Sequence, residues 1–380
     1  MPVGVCQGGV RLAGAMGGFV QSDAGCVRWC MRKQPIHSPG AAPSIAIVGC
    51  GYMGSRHAWA YAARKPAPRL VLVDRERAAA EGLAHALGAA GVDARVVSPA
   101  DLETVDDLDA VDVCTPPPEH TPSVLAALHR DMPTLCEKPL SASPEAEQAM
   151  IQAAGRSSGW LGVGYPYRHH PATRWVQGVL DEGRVGRPLV AHLRLGVVGG
   201  RNMWQHRLDP RSGGGVANEV GSHLVDMAIR WFGGVGRTRL LAASTMCRMR
   251  AIGGRVVPIE GPDSALVELR HTCGTRSVLA LDMAAGAHFQ SVEIQGTAGM
   301  LWSSVRPGFP AVVRQAGDVQ PEERLFHTPV DMLAAVIDAF LAGLAAGGPP
   351  ASLLPQPGIA ASLVTVNRAM RRLSRHGGAG

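Results

Sequence analysis

Aromatic side chains are scarce in this 380-residue chain: six Phe, seven Trp and four Tyr, only 4% of the total. The core must therefore be built mainly from Ala, Val and Leu. Charged residues are also few, at 18%, yet the 46% hydrophobic content excludes a wholly disordered chain. No uncharged apolar run reaches the ~18–20 residues needed to span a bilayer, which excludes an integral membrane protein. Cys-x-x-Cys pairs are absent, and Cys26 and Cys30 lack the further pair or histidine cluster that would complete a zinc site. No His-Glu-x-x-His occurs either, so no metal site is expected. Cys114 and Cys136 lie in apolar, strand-like runs where a reduced thiol acts as a small hydrophobe, which fits a cytoplasmic protein.

The formal charge of +6 is confined to the ends. Residues 1–43 carry +3 and residues 341–380 carry +4, which leaves −1 for the body between them. A nucleic-acid surface needs a coherent basic stripe, and neither end holds a recognisable motif for one.

Length argues for two domains with an appendage. Residues 1–43 are rich in Gly and Ala and lack the basic start of a signal peptide; they are expected to be a disordered or misassigned N-terminal extension. From Ser44 to about residue 166, short apolar strands near 45–48, 70–73, 96–97, 111–114, 134–136 and 160–165 alternate with helical stretches. That alternation predicts βαβ units and a parallel, Rossmann-type sheet. Residues 167–380 read differently: a helix over 171–182, a strand over 188–198, a helix over 216–232, then a run of strands from 238 to 295. Helices over 329–346 and 358–374 close the chain. This pattern predicts an α+β domain with a mainly antiparallel sheet, and an α/β fold overall.

Gly49-Cys50-Gly51-Tyr52-Met53-Gly54 is a G-x-G-x-x-G placed between a strand and a helix. The glycines allow a tight turn, close approach of a pyrophosphate and close helix–strand packing, while the helix N-terminus offers N–H groups to the anion. Asp74 ends the second strand 20 residues beyond Gly54, where a carboxylate can accept from ribose hydroxyls. Its charge favours NAD over NADP, while the adjacent Arg75 keeps NADP open. Glu137-Lys138-Pro139, and Thr115-Pro116 with His120, follow strands at the ligand-binding edge. Glu219, His223 and Asp226 share one helix face just after Gly213-Gly214-Gly215. A histidine beside a carboxylate is suited to moving a proton near neutral pH.

Together these segments, with Val292–Gly299, resemble the glucose–fructose oxidoreductase/inositol dehydrogenase family over roughly residues 44–375. The resemblance implies NAD(P)-dependent hydride transfer at a secondary hydroxyl of a sugar, nucleotide sugar or cyclitol. It maps the catalytic roles onto Lys138 and His223, with Glu219 where the family usually has Asp. It implies cofactor contacts from Gly49, Gly51, Tyr52, Met53, Gly54, Asp74, Arg75, Thr115, Pro116, His120, Glu137, Lys138 and Arg168. Substrate contacts would come from Lys138, Arg168, Trp204, His206, Arg207, Glu219 and His223. Gln205 and His206 separate Trp204 from Arg207, a departure from the family's Trp-Arg-x-Asp-Pro stretch. A polyhydroxylated small molecule is the implied partner, and a homodimer or homotetramer the implied assembly. Two rival functions remain at this point: a dinucleotide-binding sensor without catalysis, and a glycosidase that uses held NAD.

Overall fold

Runs such as Ile45-Ala46-Ile47-Val48 have apolar side chains on both faces, so they need cover on both sides of a sheet. In the computed structural model, which describes residues 42–198, 214–252, 255–258, 261–327 and 330–376, they obtain it. The expected N-terminal extension, and Trp204, His206 and Arg207, lie outside the described residues.

The first half of the chain runs β1 (Ser44–Val48), α1 (Tyr52–Ala62), β2 (Arg69–Val73), α2 (Arg77–Ala89), β3 (Ala94–Val97), β4 (Ala110–Val113), α3 (His120–His129), β5 (Thr134–Glu137), α4 (Pro144–Arg156) and β6 (Leu161–Gly164). The six strands form one parallel sheet in the order β3-β2-β1-β4-β5-β6. Strand order reverses between β1 and β4, and such a switch point opens a crevice at the carboxyl edge. The loops leaving β1, β4, β5 and β6 all emerge there.

The second half begins with α5 (Pro171–Asp181) and the long β7 (Pro188–Val198), and continues through α6 (Ser222–Phe232), β8 (Val235–Ser244), β9 (Met249–Ile252), β10 (Arg255–Pro258) and β11 (Ser264–His271). It then runs through β12 (Arg276–Ala285), β13 (Phe289–Gly296), β14 (Gly299–Ser304), β15 (Pro310–Gln315), β16 (Glu322–Leu325), α7 (Met332–Ala346) and α8 (Ile359–His376). Eight of these strands form a sheet in the order β16-β15-β14-β13-β7-β12-β11-β8, antiparallel except for the β7–β12 pair. Alternate side chains such as Ala191, Leu193 and Leu195 are buried on the helix-covered face. Leu241, Leu266 and Met300 remain exposed on other strands of that sheet.

Two features depart from the sequence-based expectation. The antiparallel β9–β10 pair and the strands β14–β16 are additional; each has only four to six residues. Helix α7, expected within the second domain, packs against the first sheet. Val336, Ile337, Phe340 and Leu344 are buried with Ile45, Ile47, Leu70 and Leu72. The Phe340 ring meets Trp160 edge-on at 5.3 Å, and Arg64 donates to Asp338 and to the Ala334 carbonyl, both at 2.7 Å. The chain thus returns to complete the layer that its own first half leaves open. No helix among the described residues is long and apolar enough to cross a membrane.

Removing the fully buried Phe340 side chain should leave a cavity inside this layer. Phe340→Ala is expected to lower unfolding stability by about 3–5 kcal/mol in urea titrations, typical for a core aromatic. A loss below ~1 kcal/mol would mean that α7 is not part of the first core.

Candidate active site

A cleft of about 970 Å³ opens at the carboxyl edge of the parallel sheet, between the two halves of the chain. One wall is the loop after β1. Gly49 adopts φ +95°, and a Cβ there would come within 2.8 Å of the Thr115 nitrogen. A Cβ on Gly54 would lie 1.8 Å from the Gly49 carbonyl oxygen, so only glycine lets α1 start this close to the strand. Gly51 instead faces open space, and α1 begins with no side-chain cap and no acidic residue in its first turn. Its first N–H groups and partial positive charge are therefore available to an anion. These residues fit the pyrophosphate of a dinucleotide.

Further along the cleft stand Asp74, Arg75 and Glu76. The Asp74 carboxylate accepts from the Cys50 N–H at 2.6 Å and the Glu76 N–H at 2.8 Å, so it braces the glycine loop while still lining the cleft. Tyr52, Met53, Thr115, Pro116 and Glu137 line the same space, as do Arg56, Asp331 and Met332, which sequence reasoning missed. Met332 and Asp331 come from the start of α7, and no local motif indicates that this helix returns to the first sheet.

Opposite the glycine loop, three side chains from two elements converge. Lys138 follows the last residue of β5, and its ammonium lies 3.4 Å from both the Glu219 carboxylate and the Glu219 carbonyl oxygen. Glu219 sits in a single π turn, Ala217–Gly221, that leads into α6, where an uninterrupted helix was expected over 216–232. Within that wider turn the Ser222 hydroxyl donates to the Asn218 carbonyl at 2.6 Å. π turns inside helices recur at functional sites because they re-aim side chains. His223 follows in the first turn of α6, largely buried and lining the cleft. Its ring meets the edges of Tyr167 and Tyr165 at 5.0 and 6.0 Å. The structure thus brings Lys138, Glu219 and His223 to one end of the cleft. Gly214, at the start of the same segment, also lines it.

Two expected contacts are corrected. Arg168, expected at cofactor and substrate, does not line the cleft; it is buried and engaged elsewhere. Its guanidinium forms a two-pronged pair with Asp226, with Nε 2.8 Å from Oδ2, and donates to the Ser352 and Leu354 carbonyls at 3.0 and 2.8 Å. Arg168 therefore pins α6 to the 352–354 segment, and Asp226, on the His223 face, is spent on that pair. His120, also expected at the cofactor, is fully buried with its ring nitrogens 2.8 Å from the Thr115 carbonyl and 3.1 Å from the Leu140 carbonyl. Its place is behind the cleft, tying together the loops that follow β4 and β5. His170 accepts from the Ala172 N–H at 3.1 Å and caps α5.

Sequence reasoning missed two members of a buried group beneath Lys138: His57 and Asp112, which meet the expected Glu137 there. An Asp inside the apolar strand Ala110–Val113 is the signal that was available, because a buried carboxylate demands a partner. A ring nitrogen of His57, an Asp112 oxygen and Cys114 Sγ lie within 4.8 Å of one another, but both imidazole nitrogens are already occupied by carboxylates.

Burial, reinforced by Arg168, Arg174 and Arg230, pushes the His169 pKa down from 6.5 to about 4. In that window the unfolded chain binds a proton that the folded chain does not. The stability contribution is complete above pH 6.5 and is lost as pH falls towards about 4. His169→Gln should flatten the acid limb of unfolding free energy against pH by roughly 3 kcal/mol, at ~1.4 kcal/mol for each pH step. An unchanged limb would contradict this assignment.

Residues 44–165 match the family model described as oxidoreductase family, NAD-binding Rossmann fold, and residues 173–302 match the GFO/IDH/MocA C-terminal domain. An inositol 2-dehydrogenase of Rhodococcus erythropolis is 35% identical over 150 residues, 39% of this chain and 42% of that protein. The chain thus aligns with less than half the length of this relative. An inositol 2-dehydrogenase of Rhizobium meliloti is 25% identical over 308 residues, 80% of this chain and 89% of that one. Among solved structures, a levoglucosan dehydrogenase in complex with NADH and L-sorbose superposes with a TM-score of 0.72 at 20% identity, covering 88% of this chain and 97% of the other. Together the two family matches span most of the chain, and it belongs to the GFO/IDH/MocA oxidoreductase family.

Proposed function

We propose that this protein is an NAD-dependent dehydrogenase that oxidises a secondary hydroxyl of a sugar or cyclitol, or reduces the matching ketone. The observation that carries this reading is the convergence of Lys138, Glu219 and His223 at one end of a cleft whose other wall is the glycine loop. Gly49, Gly51 and the start of α1 would hold the pyrophosphate, and Asp74 the adenosine ribose. Bound NAD supplies the hydride acceptor. The Lys138 ammonium donates to the substrate oxygen and stabilises negative charge as it develops there. His223, next to Glu219, accepts the hydroxyl proton. Glu219 carries one methylene more than the aspartate usual in the family, and its carboxylate lies 3.4 Å from Lys138 Nζ.

Asp74 and Glu76 at the ribose end would repel a 2′-phosphate, so NAD is preferred to NADP. The names of several relatives support a polyhydroxylated substrate: inositol 2-dehydrogenase, D-apiose dehydrogenase and 1,5-anhydro-D-fructose reductase. Retention of a proton acceptor favours turnover over sensing. The exposed Leu241, Leu266 and Met300 on the large sheet support a homodimer or homotetramer. The described cysteines are all free thiols, in keeping with a cytoplasmic setting.

Myo-inositol, D-apiose and 1,5-anhydro sugars, assayed with NAD and NADP in parallel, should give NADH formation with at least one of them and a preference for NAD. For that substrate, Lys138→Ala and His223→Ala should each lower kcat by about 10²–10⁴-fold. The NADH dissociation constant should change by less than about threefold, because neither residue belongs to the pyrophosphate site. Near-wild-type turnover in either variant would overturn the roles assigned here.

A further inference from the structure

The buried cluster beneath Lys138 takes no part in the proton transfer proposed above, yet it touches the loop that carries the lysine. His57, on α1, is fully buried. Its Nδ1 lies 2.8 Å from Asp112 Oδ2 and its Nε2 lies 3.0 Å from Glu137 Oε1. The Tyr61 hydroxyl donates to the same Asp112 oxygen at 2.9 Å. The other Glu137 oxygen, Oε2, accepts the backbone N–H of Lys138 at 3.0 Å.

A neutral imidazole has one N–H and one lone pair, so it can satisfy only one of two facing carboxylates. Carboxylates on both nitrogens therefore call for an imidazolium that donates twice. Burial opposes that charge, but Cys114 and Asp112 outweigh it and hold the His57 pKa well above its ordinary value. Asp112 is the stronger physical cause, since burial also pushes the Cys114 thiol up and keeps it protonated. Burial likewise acts to raise the Glu137 pKa, but the His57 contact and Lys138 bring it below the usual carboxylate range. The cluster is thus a closed relay of alternating charge linking α1, β4 and β5.

Strand β5 ends at Glu137, so Lys138 is the first residue beyond the ladder. Its N–H is received by the side chain of its own neighbour. With one Glu137 oxygen fixed on His57, the other is aimed at the Lys138 peptide. We propose that His57 is a positioning residue for Lys138: by anchoring Glu137 from below, it sets the direction in which Lys138 leaves the sheet and faces Glu219. This rests on the reading of Lys138 as the group that steadies the substrate oxygen.

The direct test needs no substrate. Amide hydrogen exchange at Lys138, resolved to the single residue, is compared in the full-length wild type and in His57→Gln. Exchange at Lys138 should accelerate by about tenfold or more, the loss of one hydrogen bond, while the amides of Leu135 and Cys136 keep their protection. Unchanged exchange at Lys138, or equal acceleration along the whole strand, overturns the proposal. Should His57→Gln fail to fold, the charge-balanced pair His57→Gln/Asp112→Asn carries the same test.

A double-mutant cycle with the best substrate of the panel separates this inference from the functional reading. His57→Gln should lower kcat about tenfold in the wild-type background and have little further effect in Lys138→Ala. An equal factor in both backgrounds refutes action through Lys138 and leaves the lysine's role intact. Near-wild-type activity of Lys138→Ala alone refutes the functional reading instead.

Discussion

An ammonium–carboxylate contact bridges the two halves of the candidate site. Lys138 Nζ and Glu219 Oε2 lie 3.4 Å apart, both largely shielded from solvent. The lysine leaves the end of a strand in the parallel sheet, while the glutamate sits in the π turn above the antiparallel sheet. Neither half of the chain makes the site alone. With water largely excluded, charges at this distance interact more strongly than on a surface, so their relative placement also governs the local field. A hydroxyl group entering the cleft would find a donor on one side and an acceptor on the other, the arrangement that loss of a proton from a carbinol requires.

The surroundings hold this contact in place by alternating the sign of charge. Behind Lys138 come Glu137, then His57, then Asp112, each in contact with the next. On the other side, Arg168 pairs with Asp226 three residues beyond His223 on α6. Each charge in these two networks has an opposite neighbour, which keeps the desolvation cost bearable and makes removal of any one member expensive. The two networks touch different members of the proposed catalytic group. One fixes the direction of Lys138, and the other fixes the helix that presents His223.

What could be foreseen from the sequence follows from the range of the interactions concerned. The glycine loop was legible because its constraint is local: a positive φ at Gly49 and a carbonyl 1.8 Å from where a Gly54 Cβ would stand. The place of Lys138 on the cleft was legible because it follows a strand at the carboxyl edge of the parallel sheet. Arg168 was misassigned because its partners, Asp226, Ser352 and Leu354, are far away in the sequence and become visible only once the chain folds. His120 was misassigned for the opposite reason. It lies beside a cleft-lining loop, but its ring turns inward to two carbonyls, and ring direction is not written in spacing. The parallel sheet was readable from its two-sided apolar strands. The short strands β14–β16 were not, since four to six half-exposed residues carry too little periodicity. Helix α7 was expected as a helix, but its apolar pattern does not reveal which sheet it covers.

The most direct measurement is a crystal structure with NADH and the substrate identified by the polyol panel. Lys138 Nζ and one ring nitrogen of His223 should both lie within hydrogen-bond reach, about 2.6–3.2 Å, of the same substrate oxygen. Its carbon should face the nicotinamide. An imidazole turned away from that oxygen, with no bridging water, would contradict the central claim.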